Sequence, residues 1–188
     1  MKTKDKEKQM DTLQAIKNRH SFRGSYKNTP VPREDLKKIL EAGLAAPSAC
    51  NKQTTSLIAL DDPQLVESII CLVKKNGFRG TDAKPPAGIC VLTQQIPAYA
   101  DKYFYVQDYS AAMENMLLAI TALGYASCWI EGQVTKDAET QQQIAKLLNL
   151  PADYITVGFL PVGAAETEIT HPDYKAFEER AWFNEFGK

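Results

Sequence analysis

The sequence predicts a mixed α/β protein. Three observations carry that expectation. Four short apolar runs of strand type, at residues 56–60, 87–93, 127–130 and 154–160, are spread along the chain. Stretches with helical spacing of apolar residues separate them. The strongest of these, residues 108–123, places Ala112, Met113, Met116, Leu117, Ile120 and Leu123 at steps of three and four. Its remaining face carries little charge, so it should form a central helix buried on most sides. Periodicity leaves the strand order open.

The elements follow in order. Residues 11–19 read as a helix running straight into Arg19-His20-Ser21-Phe22-Arg23. A second helix begins at Pro32, whose fixed φ suits the first helical position, with Glu34 and Asp35 in the opening turn. Leu36, Ile39, Leu40 and Leu44 have helical spacing, and Pro47 ends the run. Residues 56–60 form a short buried strand. Asp61-Asp62-Pro63 cap a third helix that reaches about Lys75 and closes at Gly77. Gly, Asp and Pro make 78–86 a loop before the strand at 87–93. Gly124 ends the central helix, and the third strand follows at 127–130. Thr135 opens a helix to about Leu148, Pro151 starts a loop, and 154–160 is the fourth strand. The arm from about 164 to 188 is polar but ends in Ala181-Trp182-Phe183-Asn184-Glu185-Phe186, three aromatics that suggest docking against another subunit.

With 188 residues, the chain is expected to form one domain, 1–188, with residues 1–10 a solvated, frayed helix start. The formal charge of −1 gives no reason to expect nucleic acid or an anionic membrane as a partner. No apolar run approaches the ~20 residues that span a bilayer, and the charged opening lacks the apolar centre of a signal peptide. A cytoplasmic protein is the plain reading. Cys50, Cys71, Cys90 and Cys128 form no C-x-x-C, so neither a zinc site nor a thioredoxin-type motif fits. Cys71, Cys90 and Cys128 fall in apolar segments and should pack as small hydrophobes. Cys50 lies within a polar stretch, and with only two histidines in the chain a packing role is favoured over a nucleophilic one.

No G-x-G-x-x-G follows a strand, and G-x-x-x-x-G-K, H-E-x-x-H and G-x-S-x-G are absent. What the chain does carry is Arg19-His20-Ser21-Phe22-Arg23 at one helix end and Ala46-Pro47-Ser48-Ala49-Cys50-Asn51-Lys52-Gln53 at another. Guanidinium forks bind phosphate oxygens bidentately, and hydroxyls add donors to the same oxygens. Carboxamides offer donor and acceptor side by side, matching the edge of a heteroaromatic ring. This is equipment for holding a phosphorylated planar ligand. Asn115 is expected only to satisfy a neighbouring backbone group, Glu131 to act through its backbone, and His171 to be exposed. Most of the aromatic group Tyr99, Tyr103, Phe104, Tyr105 and Tyr109 is expected to pack in the core.

The two stretches, taken with four later ones, resemble the FMN-dependent nitroreductase family. Arg19–Arg23 is similar to its R-x-S-x-R/K opening, and Ala46–Gln53 to its A-P-S-x-x-N-x-Q stretch. Asp108 to Ala119 resembles D-x-x-x-A-x-x-N-x-x-L-A, and Gly124–Gly132 resembles G-x-x-S-C-W-I-x-G. Residues 151–163 resemble P-x-x-Y-x-x-V…G, and Glu178-Glu179 with the aromatic tail resembles the closing segment. The chain departs where the family often has Gln-Pro-Trp and this sequence has Gln53-Thr54-Thr55, and where a second hydroxyl often follows Ser48 and this sequence has Ala49.

The resemblance implies an α+β, nitroreductase-like fold with a central, mostly antiparallel sheet flanked by helices, and a homodimer with FMN at the subunit interface. Arg19 and Ser21 would contact the FMN phosphate and ribityl chain, with His20 beside the cofactor and Arg23 at the N1/O2 edge of the ring. Pro47, Ser48, Ala49, Asn51 and Gln53 would come from the other subunit. Ile130, Glu131 and Gly132 would lie against N5 and O4 through the backbone, and Lys175 would be a basic contact from the arm. The chemistry implied is ping-pong hydride transfer through flavin N5, with NAD(P)H as donor and a small electron-poor acceptor, nitroaromatic or quinone-like. No acid, base or metal would be required of the protein. A guanidinium near N1/O2 would stabilise the charge of the reduced ring. A specialised relative (dehalogenation or flavin breakdown) and a non-catalytic flavin-binding sensor or reservoir are the alternatives.

Overall fold

In the computed structural model, residues 10–79, 84–169 and 173–187 are described. The expectations for residues 1–9 and for His171 lie outside them. Three strands, β1 (Thr55–Leu60), β2 (Ala87–Thr93) and β3 (Ile155–Val162), form an antiparallel sheet in the order β1-β2-β3. β2 is buried at every position, as its unbroken apolar run requires of a strand covered on both faces. β1 is half-buried along most of its length.

Among the described residues five α-helices accompany the sheet: α1 (Thr12–Asn18), α2 (Arg33–Leu44), α3 (Pro63–Lys75), α4 (Tyr105–Ala122) and α5 (Ala138–Leu147). The period of two in β2 sends its side chains alternately to two apolar layers. Ile89 and Val91 meet Leu36, Ile39, Met113, Met116 and Ile120 from α2 and α4. Cys90 and Leu92 meet Val66, Ile69, Val73 and Ile144 from α3 and α5. The ring of Phe159 lies over Gly88, where a Cβ would stand 2.3 Å from it, so only glycine admits that approach. A bulge between Val91 and Leu92 makes Val157 the extra residue of β3 and shifts the pairing register by one residue beyond it.

The sequence differs from the structure at several boundaries. Pro32 is the N-cap of α2 and Arg33 its first helical residue. α4 starts nearly one turn before Asp108, at Tyr105, behind a Phe104 cap that gives no side-chain bond. α5 starts at Ala138 because the Asp137 carboxylate accepts from the Thr140 N–H, a stronger start signal than Thr135. Residues 127–130 are not a strand. Isolated bridges Ala126↔Gly163 and Ile130↔Phe159 share one antiparallel register in which Cys128 would face Pro161, and proline has no N–H to complete the ladder. Cys90 and Cys128 are buried, and burial pushes each thiol up to about 12. Cys71, expected to be buried, is exposed, one helical step past the apolar stripe Val66, Ile69, Ile70 and Val73. Of the aromatic group before the central helix, Tyr109 is buried, whereas Tyr99 and Tyr103 are more than half exposed. Asp108 to Leu123 contains no exposed residue, as its patterning requires.

Candidate functional site on the central helix

Each of the polar stretches is tied to α4 or to the segment that follows it. Asp108, 5% exposed, stands in the first turn of α4. Its Oδ1 accepts from the Ala49 N–H at 2.9 Å and its Oδ2 from the Thr54 hydroxyl at 2.8 Å. Ser48 Oγ accepts from the Gln53 N–H at 2.9 Å. Between these ties the chain takes left-handed backbone at Cys50, Asn51 and Gln53, with φ of 50°, 53° and 49°. That conformation costs an L-residue on the order of 1–2 kcal/mol, least for Asn. The loop therefore holds its shape through bonds that the carboxylate and the Ser48 hydroxyl supply.

Arg19 closes α1, its own N–H bonded to the Ala15 carbonyl. Its Nε lies 3.3 Å from Glu114 Oε1, six residues along α4 from Asp108. His20 Nδ1 lies 2.9 Å from the Asn18 carbonyl; a carbonyl only accepts, so Nδ1 carries the proton there. Phe22 is buried and its N–H bonds Ser127 O at 2.8 Å. Ser21 and Arg23 on either side face outward. The Arg23 charge reaches Cys128, where it opposes the upward push of burial.

The third stretch is fixed from α4 as well. Glu131 Oε1 accepts from the Tyr109 hydroxyl at 2.7 Å and Oε2 from Trp129 Nε1 at 2.8 Å. Burial, then the bond to Glu131, pushes the Tyr109 phenol well above its ordinary value. Both carboxylate oxygens of Glu131 are thus engaged inside the chain. Ile130 exchanges both backbone bonds with Phe159 and buries its side chain, so its part is to fix where Glu131 and Gly132 begin. Gly132 is exposed, and a Cβ there would meet nothing within 4 Å. Packing within the chain does not call for that glycine; close approach by another molecule would. Asn115 donates to the Ala42 carbonyl at 3.1 Å, a backbone-satisfying role.

Six residues separate Asp108 from Glu114, which is about 9 Å along the helix and about 120° around it. One copy thus presents Pro47–Gln53 and Arg19–Arg23 from different sides of α4. The cleft lined by Pro47, Ser48, Gln53, Thr55 and Asp108 measures about 190 Å³, short of the ~300–1,000 Å³ of a pocket that encloses a small molecule. It is a wall, not a container. Thr55 Oγ1 is buried beside it and makes no hydrogen bond among the described residues. Lys175 stands exposed in the arm, with no ion pair among the described residues. A larger cleft of about 290 Å³, lined by Asn28, Cys71, Lys74 and Lys84, contains none of the predicted site residues. Among the described residues no cluster of His, Cys, Asp or Glu is arranged to hold a metal ion.

The donor set suits a phosphorylated flavin: two guanidiniums, hydroxyls at Ser21 and Ser48, carboxamides at Asn51 and Gln53, and open backbone at Gly132. Sequence reading missed the residues behind these groups. Asp108 sat in a quoted motif without a role, and Thr54 and Glu114 gave no local signal because their partners lie 54 and 95 positions away in the chain.

A helix-flanked antiparallel sheet with such a donor surface fits a cofactor-binding protein. The nitroreductase family model matches residues 16–164, and the chain belongs to that family. A relative from Methanothermobacter thermautotrophicus, provisionally named an NADH dehydrogenase/NAD(P)H nitroreductase, is 32% identical over 156 residues, covering 82% of this chain and 77% of that one. The structure of a nitroreductase with bound FMN from Bacteroides fragilis superposes with a TM-score of 0.73 at 27% identity, covering 94% of this chain and 100% of its own. An FMN-dependent nitroreductase from Clostridium difficile gives 0.74 at 27%, covering 93% and 99%.

Proposed function

We propose that this chain is an FMN-dependent NAD(P)H oxidoreductase that reduces a small electron-poor acceptor, nitroaromatic or quinone-like, as a homodimer with the flavin between subunits. The observation that carries this reading is the joint anchoring of three polar stretches on α4, each ending in groups that face outward. The family membership and the FMN held by the Bacteroides fragilis relative support it. Bound FMN would supply hydride transfer at N5, NAD(P)H and the acceptor using one face in turn.

The protein's part is to bind and orient. Arg19 and Ser21 hold the phosphate end, with Lys175 as a further cation. Part of the Arg19 charge is neutralised by Glu114, which also fixes its direction. Arg23, exposed and loosely held by the Ser21 carbonyl at 3.4 Å, is free to swing to the ring edge where reduced flavin accumulates charge. The backbone of Glu131 and Gly132 orients the ring without a side chain that competes for hydride. A second copy supplies Pro47, Ser48, Ala49, Asn51 and Gln53, since one copy offers only a wall there.

The test is an absorbance spectrum of the purified protein before and after anaerobic NAD(P)H. Oxidised-flavin bands that bleach are the expected result. Bands that persist would leave a flavin-binding protein without this activity, and no bands after added FMN would overturn the cofactor assignment.

A further inference from the structure

The 48–54 loop has a feature that flavin binding alone does not explain. It leaves α2 through Pro47, enters left-handed backbone three times, and is bound near both of its ends to one carboxylate. That carboxylate, on Asp108, is almost wholly buried, and burying a charge is costly unless hydrogen bonds compensate it. Both of its oxygens are used, and both on this loop. Thr54, the second donor, is 1% exposed and stands where the family pattern often has a proline, which has no hydroxyl to give. Thr93 Oγ1 in turn reaches the Thr54 carbonyl at 3.3 Å, so the clamp continues into β2.

From this we infer that Asp108 is a positioning residue for the flavin-facing loop: with Thr54 it holds Ala49, Asn51 and Gln53 in the conformation that meets the cofactor, without touching the cofactor itself. The inference rests on the functional reading above. Asp108 anchors Ala49 by its N–H and Thr54 by its hydroxyl, which fixes the span of the loop, and the Ser48–Gln53 bond then sets its turn. In Asp108→Asn the amide oxygen still accepts from the Ala49 N–H, and the Thr54 hydroxyl rotates to accept from the new NH₂. In Asp108→Ala both ties are lost. Thr54→Val removes one tie at constant shape, and Thr54→Ser restores it.

The experiment compares hydrogen exchange across the apo protein with FMN affinity in wild type and these four variants. In Asp108→Ala, amides 49–54 should exchange faster while those of β2 keep their protection, and the FMN dissociation constant should rise about tenfold or more. Asp108→Asn and Thr54→Ser should return both readouts to within about threefold of wild type, with Thr54→Val between. Faster exchange throughout the molecule, or affinity lost equally in the Asn and Ala variants, would overturn the inference. So would unchanged exchange at 49–54. If wild type took up no FMN, the functional reading would fall and the flavin half of this inference with it; the exchange comparison, which needs no ligand, would still decide whether Asp108 holds the loop.

Discussion

Arg19 and Arg23 lie four residues apart, yet the structure gives them different surroundings. Arg19 is one-quarter exposed and directed by Glu114, a fixed cation suited to a fixed phosphate. Arg23 is exposed, and among the described residues its one hydrogen bond is a long contact to its neighbour's carbonyl. Arg19→Ala is therefore expected to weaken FMN binding about tenfold or more, the equivalent of a charge-assisted hydrogen bond of about 1.5–3 kcal/mol. Arg23→Ala should lower the flavin midpoint potential with a smaller loss of affinity, because its charge acts on the reduced ring. Fluorescence titration and potentiometry on the two variants separate the roles; the reverse pattern would exchange them. Both arginines were legible in the sequence as a pair. That one is held and the other loose was not, because Glu114 lies on a helix 95 positions away.

Among the elements, α2 and α4 form one layer, and their junction includes a titratable tie. The Tyr125 hydroxyl, just past the end of α4, donates to Asp35 Oδ2 at 2.9 Å, and Lys38 holds Oδ1 at 2.7 Å. The bond from Lys38 first, and that from Tyr125 second, hold the Asp35 carboxyl below its ordinary value. A carboxylate depressed by folding gives stability that is fully present above its unfolded pKa, about 3.9, and lost as pH falls through the lower folded value. Tyr125→Phe removes one of the two bonds. It should cost about 1 kcal/mol at neutral pH, discounted for the partial exposure of the pair. That cost should shrink below about pH 4 as Asp35 is protonated. Denaturant titrations of both proteins at pH 7 and pH 3 check it, and an equal difference at the two pH values would exclude Asp35 as the partner that matters. Helix positions were readable because caps and apolar spacing are local. The start of α4 was not: Phe104 gives no capping bond, and Asp108, the acidic residue that looked like the start, spends its carboxylate on a distant loop.

For the whole molecule, the question is what completes the site. One copy has a cleft of about 190 Å³ beside Pro47 and Ser48. It also exposes Leu13 and Ile16 on α1, Leu44 at the end of α2, and Phe183 and Phe186 in the arm. Phe177 packs on Phe183 and Trp182 on Phe186, so the arm has internal order but little cover. A second copy is the occupant that the proposed function requires. Light scattering should give twice the mass of one chain, and FMN should be retained on dilution only while that mass persists. A single-chain mass with flavin bound at full affinity would refute the shared site.

The sequence by itself determined the class of fold, the positions of the helices, three of the four expected strands, and the polar stretches that place the chain in its family. Those features rest on local chemistry, namely caps, apolar period, and motifs read in order along the chain. Only the tertiary structure decided that 127–130 would not become a strand, because Pro161 opposite it has no N–H to give. It alone showed that Asp108, Tyr109 and Glu114 reach three separate stretches from one helix, and that Glu131 spends its carboxylate inside the chain. Such pairings join residues that are neighbours only once the sheet and α4 have brought distant segments together, and no local pattern encodes them.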